Sequence, residues 1–291
     1  MRLVTFEYRG KVRLGAATRD GIADFSADRR LPRSLLELLR EGGPAIEGVQ
    51  RSLERGLFPL RAPDRVRLLA PLPRPGKILG VALNYASHAR ETGRAVPEVP
   101  TIFSKATTAV VGPGGPVVLP EVSAEVDYEG ELALVVGRTM HRVPPTEALR
   151  FVAGYTILVD VTARDYQRRS GHCLAKSFDT FAPMGPSLVT SEEVGDPGNL
   201  RIVTELEGEV VQDGCTRDWI FPASELLAFL SEVLTLEPGD VVTTGTPAGV
   251  GAYRTPPRFL RPGDRLRVSI ERIGVLDVAV RAASDRAESS A

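Results

Sequence analysis

The feature that most limits how this chain can fold is an apolar run, Leu132–Val136, that directly follows three alternating acidic residues. An uninterrupted apolar run of this length is typical of a strand buried on both sides. Alternation along the same strand would place Asp127, Glu129 and Glu131 on one face. The sequence therefore predicts a buried sheet with a cluster of carboxylates where one strand begins.

Clustered carboxylates that enter a buried strand lose hydration and repel one another, so a cation would stabilise them. A solvated strand face is the commoner meaning of an isolated Glu-x-Glu pair, but the apolar continuation argues against it here. A second apolar strand, Thr156–Val159, ends at Asp160, which could supply a further ligand. Oxygen ligands without a neighbouring His or Cys pair favour Mg²⁺, Mn²⁺ or Ca²⁺ over zinc, and Mg²⁺ suits an open catalytic site.

Frequent turn residues indicate many short elements. The chain has 28 Gly and 23 Pro, many of them adjacent, which favours strands over a helical bundle. Strand-like runs dominate after Lys77, so we expect an α+β fold that is mostly β. The proline-rich segment Ala70–Gly76 cannot continue a helix or a central strand. We therefore expect a small N-terminal α/β domain over residues 1–72, a catalytic domain over 73–281 and a disordered tail over 282–291.

Charge and hydropathy exclude several classes of partner. The 36 basic and 37 acidic residues nearly cancel, so no net field attracts nucleic acid or anionic membrane. No stretch is long and apolar enough to cross a bilayer, and the N-terminus lacks the apolar core of a signal peptide. We expect a cytoplasmic protein that acts on a small molecule and binds neither nucleic acid nor membrane.

Among the three histidines, His88 has the most suggestive neighbours. If its segment is helical, Glu91 lies three residues on and could hold the imidazole as a base that activates water. On an ordinary helix such a pair is usually just solvated. His141 and His172 lie in polar stretches and are predicted to be surface residues.

Two further segments indicate contacts with a ligand. Arg164 and Gln167 would share a face if a helix begins after Asp160, and they could hold a substrate carboxylate. A salt bridge from Arg164 to an acidic neighbour is the alternative. The glycines of Thr244–Gly251 allow a ligand to approach the backbone closely, but the Lys-Ser/Thr ending of a nucleotide-binding loop is missing.

Taken in order, these motifs resemble the fumarylacetoacetate hydrolase superfamily, in its bacterial-type members, over roughly Lys77 to Asp264. The matching segments are Asn84-Tyr85 with His88 and Glu91, Phe103–Lys105, Asp127–Leu132, Gly154–Asp160, Arg164–Gln167, Lys176–Thr180, Leu236–Asp240 and Thr244–Gly251.

The resemblance implies a mixed β-roll catalytic domain, usually in a homodimer. It also implies a magnesium or manganese ion, for which Ca²⁺ could substitute, held by Glu129, Glu131 and Asp160. This ligand set agrees with the one that the strand pattern indicates.

By the same resemblance, His88 and Glu91 match a water-activating dyad on a lid, and Lys176 matches the cation beside the site. The residues that match substrate contacts are Arg164, Gln167 and Thr246. The segment Ser170–Ala175 is shorter than the resemblance leads us to expect, which alters one wall of the pocket.

These matches imply a metal-dependent hydrolase that cleaves a carbon–carbon bond in a small β-diketo or oxo acid, similar to an acylpyruvate or fumarylacetoacetate, through a metal-bound enolate. The alternative is an isomerase or decarboxylase for an acid of the 2-hydroxyhepta-2,4-diene-1,7-dioate or oxaloacetate type, in a catabolic or a specialised biosynthetic pathway. In that case His88 either takes no part in the reaction or carries a proton. A non-catalytic protein that binds metal and acid is the minor alternative.

Overall fold

The first 72 residues contain five strands and two α-helices. The structure is a computed structural model and describes residues 1–286. The elements of this part of the chain are strands β1 (Arg2–Tyr8), β2 (Lys11–Thr18), β3 (Gly21–Asp24), β4 (Leu60–Arg61) and β5 (Arg67–Leu69) and helices α1 (Leu35–Glu41) and α2 (Gly43–Glu54). Ser34 caps α1 by accepting a hydrogen bond from the N–H of Glu37, whose carboxylate accepts from the N–H of Arg33.

In the rest of the described chain, strands hold more residues than helices do. The strands are β6 (Ile78–Ala82), β7 (Thr101–Lys105), β8 (Val110–Val111), β9 (Val117–Leu119), β10 (Val126–Asp127), β11 (Gly130–Val136), β12 (Val152–Val159), β13 (Thr162–Ala163), β14 (Ala182–Thr190), β15 (Arg201–Leu206), β16 (Glu209–Cys215), β17 (Val241–Thr243), β18 (Arg265–Ile270) and β19 (Gly274–Ala282). The helices are α3 (Ala86–Thr92), α4 (Pro145–Ala148), α5 (Arg164–Ser170), α6 (His172–Ala175), α7 (Ser191–Val194) and α8 (Ala223–Val233). The predicted α+β class, mostly β, is confirmed.

One long sheet runs through both parts of the chain in the order β4-β3-β2-β1-β14-β12-β11-β17-β6-β7. The pairing of Arg2 with Val189 and of Leu3 with Leu188 joins the N-terminal strands to the rest. A single hydrophobic cluster likewise spans both parts. The segment at which we predict a domain boundary is therefore a loop between β5 and β6, with the sheet and the core continuous on either side of it. A second sheet, in the order β16-β15-β18-β19-β9, lies beside the first.

Strand β11 is the strand that the sequence predicts to be buried on both sides. All seven of its residues are buried, and it lies between β12 and β17. The expectation that Asp127, Glu129 and Glu131 lie on one strand is wrong, because Tyr128 and Glu129 belong to no strand and Asp127 lies in β10, which is part of a different sheet. Asp127 instead pairs with Thr162 in the small β10-β13 sheet. This interruption separates Asp127 from the two glutamates that follow it.

The C-terminal end is ordered beyond the predicted limit of the catalytic domain. Strand β19 continues to Ala282 and a 3₁₀ turn follows over Ala283–Arg286, closed by a hydrogen bond from the N–H of Ala282 to Asp285. The rest of the predicted tail, residues 287–291, lies outside the described residues. Within residues 1–286, no helix has both the length and the apolar character needed to cross a membrane.

Candidate metal centre and active site

Three buried carboxylates meet where β11 and β12 lie side by side. Glu129 precedes β11, Glu131 is its second residue, and Asp160 directly follows β12. The antiparallel register pairs Gly130 with Val159, and the N–H of Asp160 donates to the carbonyl of Glu129 at 2.8 Å. One ligand oxygen from each carboxylate lies within 4.8 Å of the others. The residues that sequence predicts as metal ligands are thus brought together.

Two buried lysines form ion pairs with two carboxylates of this cluster, Glu129 and Asp160. The Lys105 ammonium lies 2.5 Å from Asp160 Oδ1. The Lys176 ammonium donates to Glu129 at 2.7 Å, to Asp160 at 2.5 Å and to the hydroxyl of Thr162 at 2.8 Å, so its three N–H groups are all used. Burial raises the pKa of Glu129, but the charges of Lys176 and then Arg164 hold it below its usual range.

Glu131 is the carboxylate of the cluster that has no cation of its own. Its carboxylate accepts a hydrogen bond from the N–H of Gly245 at 3.0 Å, and no ion pair among the described residues includes it. Burial, then the charges of Asp160 and Glu129, raise its pKa well above the usual value. A buried anion beside two others is unfavourable unless a positive charge offsets it.

When Glu131 is ionised, the negative charges of the site exceed the positive charges by one. Four buried carboxylates, Asp127, Glu129, Glu131 and Asp160, face the three cations Lys105, Lys176 and Arg164. This excess negative charge, together with donors that are all oxygen, fits a hard divalent cation. The residues that would hold it are Glu129, Glu131 and Asp160.

Replacing Glu131 by Gln tests whether this excess charge is real. The variant keeps an acceptor for the N–H of Gly245 and removes the uncompensated charge. We expect the metal-free protein to gain about 1 kcal/mol of stability, which corresponds to about 2–4 °C in Tm. The rise in Tm that Mg²⁺ gives the wild type should disappear. Thermal unfolding with and without Mg²⁺ measures both effects.

The control for this prediction is Glu147→Gln, at an exposed ion pair with Arg150, which should behave as the wild type. A Glu131→Gln variant whose Tm still rises with Mg²⁺ would contradict the assignment of Glu131 as a metal ligand.

Asp127 is not part of the three-carboxylate cluster. It holds neighbouring parts of the site in place through hydrogen bonds. Its carboxylate accepts hydrogen bonds from the N–H groups of Gly251 at 2.7 Å, Ala252 at 3.1 Å and Tyr128 at 2.8 Å, and from Arg164 Nε at 2.8 Å. The expectation that Asp127 and the two glutamates form one carboxylate face is therefore only partly met. Asp127 holds the glycine-rich segment against α5.

Asp127→Ala should destabilise the fold. The change leaves three buried N–H groups unpaired and takes one counterion from Arg164, which costs about 3 kcal/mol. Urea unfolding followed by circular dichroism measures the loss. As a control, Asp277→Ala breaks an exposed pair with Arg267 and should cost less than about 1 kcal/mol. Equal losses in the two variants would show that Asp127 has no such role.

Beside the carboxylate cluster is a pocket that Glu129, Glu131, Lys176 and His88 of α3 line, and Glu91 lies one helical turn after His88. His88 is buried, and its Nδ1 lies 2.8 Å from Glu91 Oε2. The other Glu91 oxygen accepts from the N–H of Gly249 at 2.7 Å, so the glycine-rich segment fixes the dyad. With Nδ1–H donated to Glu91, Nε2 is the ring nitrogen that remains available. The geometry is that of an oriented base, and the ring of Tyr253 stands edge-on to the imidazole at 6.1 Å.

The three predicted substrate contacts all line this pocket, but two are already committed to the protein. Arg164 donates hydrogen bonds to Asp127, to Glu129 and to the side-chain oxygen Oε1 of Gln167. The hydroxyl of Thr246 donates to the carbonyl of Gly130 at 3.0 Å and accepts from Gln212 at 2.7 Å. The Gln167 amide nitrogen has no hydrogen bond among residues 1–286, so it is the predicted contact most available to a ligand.

Among the lining residues that sequence does not place in the site are Arg94, His172 and Tyr253. The expectation that His172 is a surface residue is wrong, because its ring stacks on Phe103 with centroids 5.7 Å apart and planes 15° apart. Burial, then the charge of Lys176, lowers the pKa of His172. The sequence does hold one signal for this position of His172. The segment Ser170–Ala175, which is shorter than the family resemblance leads us to expect, contains His172 and ends just before Lys176.

Three comparisons with known proteins agree with this geometry. The family model for the C-terminal part of fumarylacetoacetate (FAA) hydrolase matches residues 77–281. The mitochondrial oxaloacetate tautomerase FAHD2A of Homo sapiens is 43% identical over 284 residues, which cover 95% of this chain and 90% of that protein.

Solved structures cover nearly all of the chain as well. A fumarylacetoacetate hydrolase from Exiguobacterium antarcticum is 37% identical, with a TM-score of 0.87, and the match covers 97% of this chain and 99% of that one. A maleylpyruvate hydrolase from Sphingobium sp. SYK-6, solved with manganese(II) and pyruvate, is 32% identical with a TM-score of 0.82, over 97% of this chain and 99% of that one.

Proposed function

Because this chain belongs to the fumarylacetoacetate hydrolase family, we propose that it is a divalent-metal-dependent tautomerase that interconverts the enol and keto forms of a small 2-oxo acid of the oxaloacetate type. The observation that carries the proposal is the meeting of three elements in one pocket. A carboxylate cluster with excess negative charge, the ammonium of Lys176 and the oriented imidazole of His88 all line it or border it. The choice of tautomerisation over cleavage rests on the name of the human relative.

The proposed chemistry moves one proton at the carbon next to the oxo group. In the enol-to-keto direction, His88 Nε2 takes the proton of the enol hydroxyl and delivers it to that carbon, and in the reverse direction it carries the proton back to the oxygen, while Glu91 keeps Nδ1 protonated and the ring in place. Lys176 and Arg164 supply fixed positive charge beside the enolate oxygen, which costs no reorganisation when that charge develops. A divalent cation at Glu129, Glu131 and Asp160, when bound, would add a Lewis acid that stabilises negative charge on the substrate oxygens. Mg²⁺ is the ion we propose, with Mn²⁺ as the substitute.

The experiment for this proposal follows the ultraviolet absorbance of enol-oxaloacetate as it converts to the keto form. With Mg²⁺, the protein should accelerate the decay well beyond the rate with Mg²⁺ alone. Pyruvate formation, measured in the same samples, should stay at the uncatalysed level because no carbon–carbon bond breaks. Acceleration of pyruvate release without acceleration of enol decay would overturn the proposal.

Cleavage of a carbon–carbon bond is the second candidate, and the His88–Glu91 dyad favours it. An imidazole held by a carboxylate can take a proton from water, which then attacks a carbonyl carbon. The two candidates differ in what His88→Ala does. A hydrolase should lose cleavage and keep keto–enol exchange, whereas the proposed tautomerase should lose the exchange itself.

We further propose that the enzyme is a homodimer that works in the cytoplasm. The dimer is what the family resemblance implies, and size-exclusion chromatography with light scattering tests it. The human relative is named as mitochondrial, so cell fractionation decides the compartment.

A further inference from the structure

The mouth of the active-site pocket carries a cation that the proposed chemistry leaves unused. Arg94 follows α3, just after the left-handed Gly93 that ends the helix, and it lines the pocket. No hydrogen bond or ion pair holds its guanidinium among residues 1–286. The other cations of the pocket, Arg164 and Lys176, are buried and paired with carboxylates. Arg94 is therefore the lining residue with full positive charge that is free to bind an anion.

A histidine lines the same pocket as Arg94. His172 is half-buried, and its ring is held by stacking on Phe103. After burial and Lys176, the charge of Arg94 is among the influences that lower the pKa of this ring. Both side chains line the same pocket, so one ligand bound there can reach both. Both ring nitrogens lack a hydrogen bond among the described residues, so this ring can also donate to a ligand.

The two ends of the pocket differ in the anion that each can accept. The inner end, at Glu129 and Glu131, needs a divalent cation before a negatively charged group can enter. The outer end offers positive charge directly, through Arg94. A 2-oxo acid whose carboxylate and oxo group point inward would direct the remainder of its chain towards the mouth. A carboxylate at that far end would meet Arg94.

We propose that Arg94, with His172 as a second donor, binds the distal carboxylate of the substrate and so makes the enzyme selective for 2-oxo dicarboxylic acids over monocarboxylic ones. This inference rests on the proposed function, because it assumes that the oxo-acid end lies at the carboxylate cluster. It adds the specificity that the cluster and the His88 dyad cannot provide. Arg94 is exposed, and a guanidinium that closes onto a carboxylate gains two charge-assisted hydrogen bonds.

The first test measures binding and needs no turnover. Calorimetric titration with 2-oxoglutarate and 2-oxopentanoate, in the presence of Mg²⁺, compares two acids that differ only in the distal carboxylate. The wild type should prefer 2-oxoglutarate by about 10-fold or more, as expected for a charge-assisted contact. Arg94→Gln should reduce the preference to less than about threefold and leave the Kd for 2-oxopentanoate unchanged. Arg90→Gln, an exposed arginine on α3 outside the pocket, is the matched control and should keep the wild-type preference.

The second test uses oxaloacetate as substrate. Arg94→Gln should raise KM about 10-fold and leave kcat within about threefold, since the contact forms with substrate and transition state alike. A wild type without the preference, a variant that keeps it, or equal weakening of both acids would overturn the proposal. A wild type that shows the preference but does not tautomerise oxaloacetate would refute the proposed function and leave the role of Arg94 intact.

Discussion

Exhaustive removal of divalent cations should lower the turnover of oxaloacetate by about 10³-fold or more, because Lewis-acid stabilisation is worth several kcal/mol in the transition state. Without the cation, Glu131 has no ion-pair partner to offset Asp160 and Glu129, and its pKa is raised by burial first and then by the charges of these two carboxylates. The substrate would also face an excess of negative charge. Enol decay is measured after chelation and dialysis, and then during titration with Mg²⁺ or Mn²⁺, either of which should restore the rate.

The loss should be specific to the carboxylate cluster. Glu129→Gln should lower the rate to a similar degree and should not recover on addition of Mg²⁺. Asp213→Asn, at an exposed ion pair with Arg201, should leave the rate and its metal dependence unchanged. Full activity in protein shown by elemental analysis to be free of metal would contradict a metal-dependent mechanism.

His88→Ala should lower kcat for tautomerisation by about 10²–10⁴-fold, the usual contribution of a positioned general base. The residue is buried at the pocket, and Glu91 holds one ring nitrogen so that the other can reach the substrate. The substitution leaves the carboxylate cluster in place, so the rise in Tm on addition of Mg²⁺ should persist. Steady-state kinetics and thermal unfolding are measured on the same preparation.

Two further variants complete the measurement. Glu91→Gln removes the charge that orients the ring and should lower kcat by less than His88→Ala does. His141→Ala, at an exposed turn, should leave kcat unchanged. An unchanged kcat in His88→Ala would remove the histidine from the mechanism.

The carboxylate cluster could be predicted from sequence because its geometry is local to two strands. An apolar run identifies β11 as buried, and Glu131 lies at its start. Asp160 ends the next long apolar run, and adjacent antiparallel strands bring the end of one beside the beginning of the other. The break at Tyr128 was not predictable, because it depends on Asp127 binding the N–H groups of Gly251 and Ala252, more than 120 positions away.

The partners of the site residues also depend on long-range packing. Periodicity places Arg164 and Gln167 on one face of α5, yet it cannot show that the arginine is already paired with Asp127 and Glu129. The position of His172 depends in the same way on its stack against Phe103 of β7. The sequence thus predicts which residues enter the site better than it predicts which of them remain free for a ligand.

A divalent cation held by three carboxylates is the premise on which the proposed chemistry depends. Crystals soaked in Mn²⁺ and measured at the manganese absorption edge locate such an ion directly. We expect an anomalous peak among Glu129, Glu131 and Asp160, which is lost in Glu131→Gln. No peak at this cluster, with Mn²⁺ bound elsewhere in the same crystals, would contradict it.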